Sequence, residues 1–325
     1  MIATMIAAMK AAALHALLVA SSAAAAEGTP EPAQPPSDAD AGAPESRAQA
    51  AKAWNRLRTP APGPPRAIGG FSAGCLQGSA TLPPSGSGYE VAHLERNRRY
   101  GHPDLVAYVQ RLGADARRSK LGPVVVGDLA QPRGGPTPSG HHSHQTGLDV
   151  DLGYAPPPGL RAGHVTVRQR ETLAPVVVVN LKTRQPTAAW GTKVIELVAL
   201  AASDPAVDRI FVNPTVKKLL CEAPRSAKMV WQSRVRPWWA HHDHFHVRLR
   251  CPTDSPLCVA QDPVPDDGCG PSLRWWFTAD AETTLAKKKQ AEAEAAAVAA
   301  AAGEEKVKLP AECAPVRMAP DADAG

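Results

Sequence analysis

Two short runs of alternating polar and apolar residues constrain most strongly how this chain can fold. They are Ser-Gly-His-His-Ser-His-Gln-Thr-Gly-Leu-Asp-Val-Asp at 139–151 and His-His-Asp-His-Phe-His-Val-Arg-Leu at 241–249, and they hold most of the chain's eleven histidines. Leu148, Val150 and Leu152 alternate with Asp149, Asp151 and Gly153, which predicts a half-buried strand over 147–154 with its aspartates turned away from the core. The same period over 243–250 predicts a second strand and puts His244 and His246 on one face of it. Neutral imidazoles with a carboxylate are the ligand set of a catalytic zinc site, which keeps an open position for water. His144 enters the first strand, a turn at Gly147 lets Asp151 approach it, and a neighbouring strand carrying His246 would complete three ligands. His244, two residues earlier on the same face, would then stand beside the metal. A zinc hydrolase is the leading reading.

The ends of the chain read differently. Residues 1–26 carry Lys10 ahead of an apolar stretch and close on Ser21-Ser22-Ala23-Ala24-Ala25-Ala26, the pattern of a signal peptide cleaved near Ala26. The stretch is too short to span about 30 Å of hydrocarbon, and no later segment reaches a spanning length. An exported, periplasmic protein is expected, with no membrane span. Residues 27–66 are rich in Ala and Pro and read as a linker. Residues 278–325 read as an Ala/Lys/Glu-rich tail, helical over 281–302. One domain of ordinary size remains, 67–277. The six cysteines Cys75, Cys221, Cys251, Cys258, Cys269 and Cys313 form no C-x-x-C pair and suit three disulfides in an oxidising compartment, with fifteen pairings open.

Net charge is +5, and basic residues gather at Arg96, Arg98, Arg99, Arg111, Arg117, Arg118 and Lys120. That favours an anionic partner such as the cell wall no more than it favours a solvated helix face. No nucleic-acid motif accompanies it, so that class is excluded. A helix is predicted over 103–119 with Leu105, Val106, Val109, Leu112 and Ala116 on one side, another over 187–202, and short strands at 124–129, 176–179 and 209–213. This irregular order points to an α+β domain. Gly70-Phe71-Ser72-Ala73-Gly74 has the spelling of a nucleophile elbow but lacks the flanking buried strand and helix, and reads as a turn.

At these residues the chain resembles the penicillin-insensitive murein endopeptidases, within the wider group of lysostaphin and the zinc D-alanyl-D-alanine peptidases. The likeness is carried by Gly140-His141-x-Ser143-His144-Gln145-Thr146-Gly147-Leu148-Asp149-Val150-Asp151 and by Val235-Arg236-Pro237-Trp238 leading into His241-x-x-His244-x-His246-Val247-Arg248-Leu249-Arg250-Cys251-Pro252. It also covers Gly101-His102-Pro103-Asp104-Leu105 and Arg209-Ile210-Phe211-Val212-Asn213-Pro214.

The resemblance implies a small antiparallel sheet carrying the zinc site, flanked by helices and long loops in the manner of the hedgehog and DD-peptidase folds. It implies His144, Asp151 and His246 as zinc ligands and His141 as a further histidine at the metal or the substrate. His244 would be general base and His241 oxyanion donor, two roles that the sequence leaves interchangeable; His242 and Asp243 fall outside the motif. It implies the pairings Cys75–Cys313, Cys221–Cys269 and Cys251–Cys258. Asn180-Leu181-Lys182-Thr183-Arg184 lacks the Asp and His that family members can carry there for a second metal, so one Zn2+ per chain is expected. The implied reaction is hydrolysis of D-alanyl-meso-diaminopimelate cross-links in peptidoglycan. Two alternatives stand beside it: a zinc D-alanyl-D-alanine carboxypeptidase or dipeptidase of the same fold, and a non-catalytic metal- or wall-binding module.

Overall fold

The structure, a computed structural model, describes residues 46–138, 143–223, 230–287, 290 and 307–321. The signal peptide expected at 1–26, the first part of the linker, His141 and most of the helix expected over 281–302 lie outside them. All described residues fall in one unit, Ala41–Gly325.

The core is a seven-stranded sheet. Its strands run, edge to edge, Val235–Pro237, Val207–Val212, His244–Leu249, Asp149–Gly153, Val124–Val126, Tyr89–Val91 and Ser85–Gly86. The two runs that dominate the sequence are its central strands, paired antiparallel with His246 opposite Asp151 and His244 opposite Gly153. The sheet is larger than the small antiparallel one expected, and it is mixed. Val207–Val212 pairs parallel with Val235–Pro237, and Tyr89–Val91 parallel with Val124–Val126. Val124–Val126 falls within the strand expected over 124–129, whereas Val235–Pro237 and Tyr89–Val91, three residues each, carry too little pattern to be read from sequence, and their partners are distant in the chain.

A second difference lies in the aspartates. Every residue of Asp149–Gly153 is buried, Asp149 completely, so neither face of this strand meets solvent. Alternation here separates an apolar core from a buried polar site.

The helix Pro103–Arg118 forms as expected. His102 caps it, Nδ1 accepting from the Asp104 amide, Pro103 opens the first turn, and Arg117 and Arg118 sit in the last, where cations suit the dipole. Its buried side is the predicted one extended by Tyr108, whose hydroxyl donates to the Ala201 carbonyl of the helix Thr192–Ser203. The latter helix starts after the turn at Thr187–Trp190, five residues later than expected. Phe71 and Ser72 make the turn between the paired strands Arg66–Gly70 and Ala73–Gln77, so the elbow-like spelling is a hairpin turn.

Residues 46–66 are not a plain linker. Ser46 and Gln49 form a capping box on the helix Arg47–Trp54, and Trp54 is 1% exposed. It packs in a second cluster with Ala50, Ala61, Ile68, Cys75, Cys313 and Val316. The C-terminal helix Cys313–Met318 completes this cluster, and Arg133, itself buried, caps it by donating to the carbonyls of Val316, Arg317, Ala319 and Pro320. One apolar Trp among prolines was enough to order the segment because the tail supplies the opposite wall.

Three disulfides join Cys75 to Cys313, Cys221 to Cys269 and Cys251 to Cys258, the pairs implied by resemblance. The first closes a loop over a separation of 238 residues, for which the loop-closure model gives a stabilisation of roughly 5 kcal/mol. Replacing Cys75 and Cys313 together by Ser should lower the unfolding free energy by several kcal/mol, on the order of that figure. Urea unfolding of the oxidised protein checks this, and an unchanged midpoint would refute it.

Candidate metal centre

The site grows from the register of the two central strands. With His246 opposite Asp151, the His246 Nδ1 lies 3.1 Å from Asp151 Oδ1. His144 comes to them from the preceding loop. Its backbone is left-handed (φ 68°), and Gly147, also left-handed at φ 71°, makes the turn into the strand; a Cβ there would meet a Leu76 methyl at 2.3 Å and the His102 amide at 3.1 Å. The loop is held by Gln145, whose side chain donates to the Ser72 carbonyl and accepts from the Gly74 amide, and whose carbonyl accepts from Gly135. His144 Nε2 thus reaches 3.5 Å from Asp151 Oδ1.

Ligand atoms of His144, Asp151 and His246 all lie within 4.8 Å of one another, and all three residues are buried. Donors about 2.1 Å from a tetrahedral ion would sit roughly 3.4 Å apart, so small movements suffice. Two imidazoles and one carboxylate also have the chemistry that zinc takes. The residues fit a metal.

Of the three candidate ligands, His246 is held from behind. His246 Nε2 lies 2.7 Å from Asp149 Oδ1, and since a carboxylate only accepts, Nε2 donates there, so Nδ1, facing Asp151, is the nitrogen that a metal would take. Asp149 also accepts from Arg248 Nε at 2.6 Å and from the His144 amide at 3.2 Å. Burial would raise the Asp149 pKa, but Arg248 and His246 hold it far below the usual carboxylate range. Asp151 is likewise buried, and His144 and His246 keep it well below that range. For His144 burial would lower the pKa, but Asp151 and Asp149 push it up to about 9. In the metal-free protein this imidazole carries the charge that a cation would replace, so metal uptake must displace its proton.

His244 and His241 stand at the opening. His244 Nδ1 lies 2.7 Å from Asp243 Oδ1, which puts its proton there and leaves Nε2, without a hydrogen-bond partner among the described residues, 3.9 Å from Asp151 Oδ1. Burial opposes protonation of His244, yet Asp243 and Asp151 raise its pKa overall. Asp243, outside the motif, therefore orients the neighbouring histidine and favours its protonated form. His241 is different. Its Nδ1 lies 2.6 Å from the Trp239 carbonyl, which can only accept, so Nε2 carries the lone pair. Burial and the neighbouring His246 and His244 lower its pKa to about 3. A neutral imidazole of this tautomer offers Nε2 as an acceptor. The left-handed turn Ala240–His241 is pinned by Asn213, whose side chain and amide donate to the Ala240 and His241 carbonyls.

Sequence reasoning passed over Asp149, Asp243, Arg248 and Asn213. Arg248 was accessible, since it shares the face of His244 and His246 by the same period of two. Asn180, in the segment read for a second metal, caps an exposed turn by accepting from the Lys182 and Thr183 amides.

A mixed sheet whose two central strands bring together imidazoles and a carboxylate, with a carboxylate-backed histidine beside them, defines a protein built around a candidate hydrolytic metal centre. The family model of the penicillin-insensitive murein endopeptidases matches residues 67–317. Curated relatives of that name include one from Yersinia pestis bv. Antiqua, 44% identical over 233 residues that span 70% of this chain and 82% of the relative. Another from Salmonella paratyphi C is 41% identical, spanning 75% and 88%, and one from Haemophilus influenzae is 40% identical, spanning 72% and 82%. The chain belongs to the penicillin-insensitive murein endopeptidase family and is a peptidase.

Asp151→Ala should remove stoichiometric metal. Asp149→Asn replaces one acceptor by an N–H2 among three donors and should weaken metal affinity by about 10- to 100-fold with the fold retained. Competition with a chromophoric chelator measures both, and full metal content in the Asp151→Ala protein would overturn the ligand assignment.

Proposed function

We propose that this chain is a zinc endopeptidase that hydrolyses D-alanyl-meso-diaminopimelate cross-links of peptidoglycan in the periplasm. The observation that carries this reading is the cluster of His144, Asp151 and His246, ligand atoms within 4.8 Å, with His244 Nε2 beside it, 3.9 Å from Asp151 Oδ1. The relatives' shared name, murein endopeptidase, supplies the polymer. Three disulfides accord with an oxidising compartment.

A zinc ion held by these three side chains would supply Lewis acidity, polarising the scissile carbonyl and acidifying water. The protein's own groups handle the proton. His244 Nε2 takes it from the attacking water while Asp243, on Nδ1, stabilises the imidazolium that forms. The same nitrogen then faces the leaving amine and returns the proton to it. His241 Nε2, an acceptor, suits a substrate N–H, so it orients the peptide. Asp149 and Arg248 keep His246 in one tautomer and one rotamer throughout. Nothing in this arrangement needs a nucleophilic side chain.

Digestion of purified sacculi should convert cross-linked dimers to monomeric muropeptides, whereas a carboxypeptidase would release only terminal D-alanine and a binding module nothing. Activity should be lost to EDTA or phenanthroline, restored by zinc and indifferent to penicillin. His244→Ala should keep its zinc and lose activity by about 10²- to 10⁴-fold, the usual contribution of a general base. Covalent labelling by a fluorescent penicillin, with hydrolysis surviving the chelators, would replace this mechanism by a serine one.

A further inference from the structure

The chain is poor in aromatic residues, 5% in all, yet four of its seven tryptophans, Trp238, Trp239, Trp275 and Trp276, share one surface. Trp238 is 44% exposed and Trp275 39%. An exposed apolar patch of this kind costs solvation free energy and marks a place where something binds. It is continuous with the metal centre. The Phe211 ring lies 5.5 Å from that of His246 and 5.9 Å from that of Trp238; Trp238 then lies 6.2 Å from Trp276, which is 4.6 Å from Trp239 and 5.3 Å from Trp275.

Both supports of the patch are rigid. Trp238 and Trp239 belong to the loop that carries His241, fastened by the Trp238 amide on the Val212 carbonyl and by Asn213. Trp275 and Trp276 belong to, and follow, the short helix Pro271–Trp275 just past Cys269, which is bonded to Cys221. Neither pair needs to be ordered by a ligand, which lowers the cost of binding.

The chemistry of the rings selects among the parts of the substrate. Stem peptides carry several charged groups and little flat apolar surface. A pyranose of the glycan strand has no net charge on its ring and presents a face of C–H groups that lies flat against an indole, whose π face is electron-rich. The distance also suits. An extended stem of three or four residues reaches about 10–14 Å, and Trp238 stands one aromatic ring away from His246. A peptide held at the metal centre thus brings its own glycan strand to the tryptophans.

We propose that Trp238, Trp239, Trp275 and Trp276 form a saccharide platform that stacks N-acetylated pyranose rings of the strand bearing the cleaved stem. This rests on the murein reading above for its natural ligand, but the binding itself is separable. The platform makes the enzyme a reader of the polymer as well as of the bond.

Two measurements test it. Oligomers of N-acetylglucosamine should quench or shift the tryptophan fluorescence of the zinc-loaded protein, and equally that of His244→Ala, and this response should be lost in Trp275→Ala and kept in Trp275→Tyr. With cross-linked muropeptide dimers as substrates, the ratio of kcat/KM for glycan-bearing to amidase-stripped, sugar-free dimers should fall about fivefold to tenfold in Trp275→Ala. An unchanged ratio, or no fluorescence response from the wild-type chain, overturns the platform. If neither dimer is cleaved by the wild type but the oligosaccharide response is present, the peptidase reading fails and the platform stands.

Discussion

Everything at the centre of this fold depends on keeping the Asp149 carboxylate charged where no water reaches it. Moving a carboxylate from water into a protein interior costs several kcal/mol unless partners replace the lost hydration. Here Arg248, His246 and the His144 amide do so, and each comes from a different position in the chain. The carboxylate can be satisfied only when the strand Asp149–Gly153 pairs with His244–Leu249 in the observed register and the loop before it closes to bring in His144. Arg248 is in turn sandwiched by the rings of Phe71 and Phe211, 3.8 Å and 5.2 Å from its guanidinium carbon. A slip of one residue would turn Asp149 into the apolar core.

Support radiates outward from that point. The hairpin Arg66–Gln77 is the backing for the metal loop: Gln145 ties to Ser72 and Gly74, and Leu76 fills the space over Gly147. The hairpin is itself pinned by Cys75–Cys313 and by the cluster that Trp54 and Val316 close. Arg133 joins the same loop to the C-terminal helix. The chain's two ends, remote from the chemistry in sequence, therefore brace the loop on which His144 rides. That explains why a proline-rich entry segment and a short terminal helix are folded at all, since neither buries enough alone.

The division of labour among the histidines follows from what holds the other nitrogen of each ring. Asp149 on Nε2 leaves Nδ1 of His246 to face the candidate metal position, Asp243 on Nδ1 leaves Nε2 of His244 for the base role proposed above, and the Trp239 carbonyl on Nδ1 leaves Nε2 of His241 as an acceptor. Identical side chains five residues apart or fewer thus present different nitrogens to the site by local hydrogen bonding.

Much of this was legible in the sequence because it is carried by local pattern. The period-two runs located both central strands and the shared face of His244 and His246, and the capped amphipathic segment located the helix Pro103–Arg118. Motif resemblance added the disulfide partners and the three candidate ligands that the structure gathers. Other features were illegible because they arise only from contacts between distant segments. The strands Val235–Pro237 and Tyr89–Val91, which pair parallel with their neighbours, have three residues each, so their pairing is set by the sheet and not by their own composition. Burial of both faces of Asp149–Gly153 depends on what covers it, which alternation cannot express. The tautomers of His241, His244 and His246 depend on which acceptor lies within 3 Å, a distance that spacing along the chain does not encode. By itself the sequence pointed to the residues that could hold a metal; only the tertiary structure brought them together and decided how each is oriented, because in a buried polar site every donor and acceptor must be matched at once.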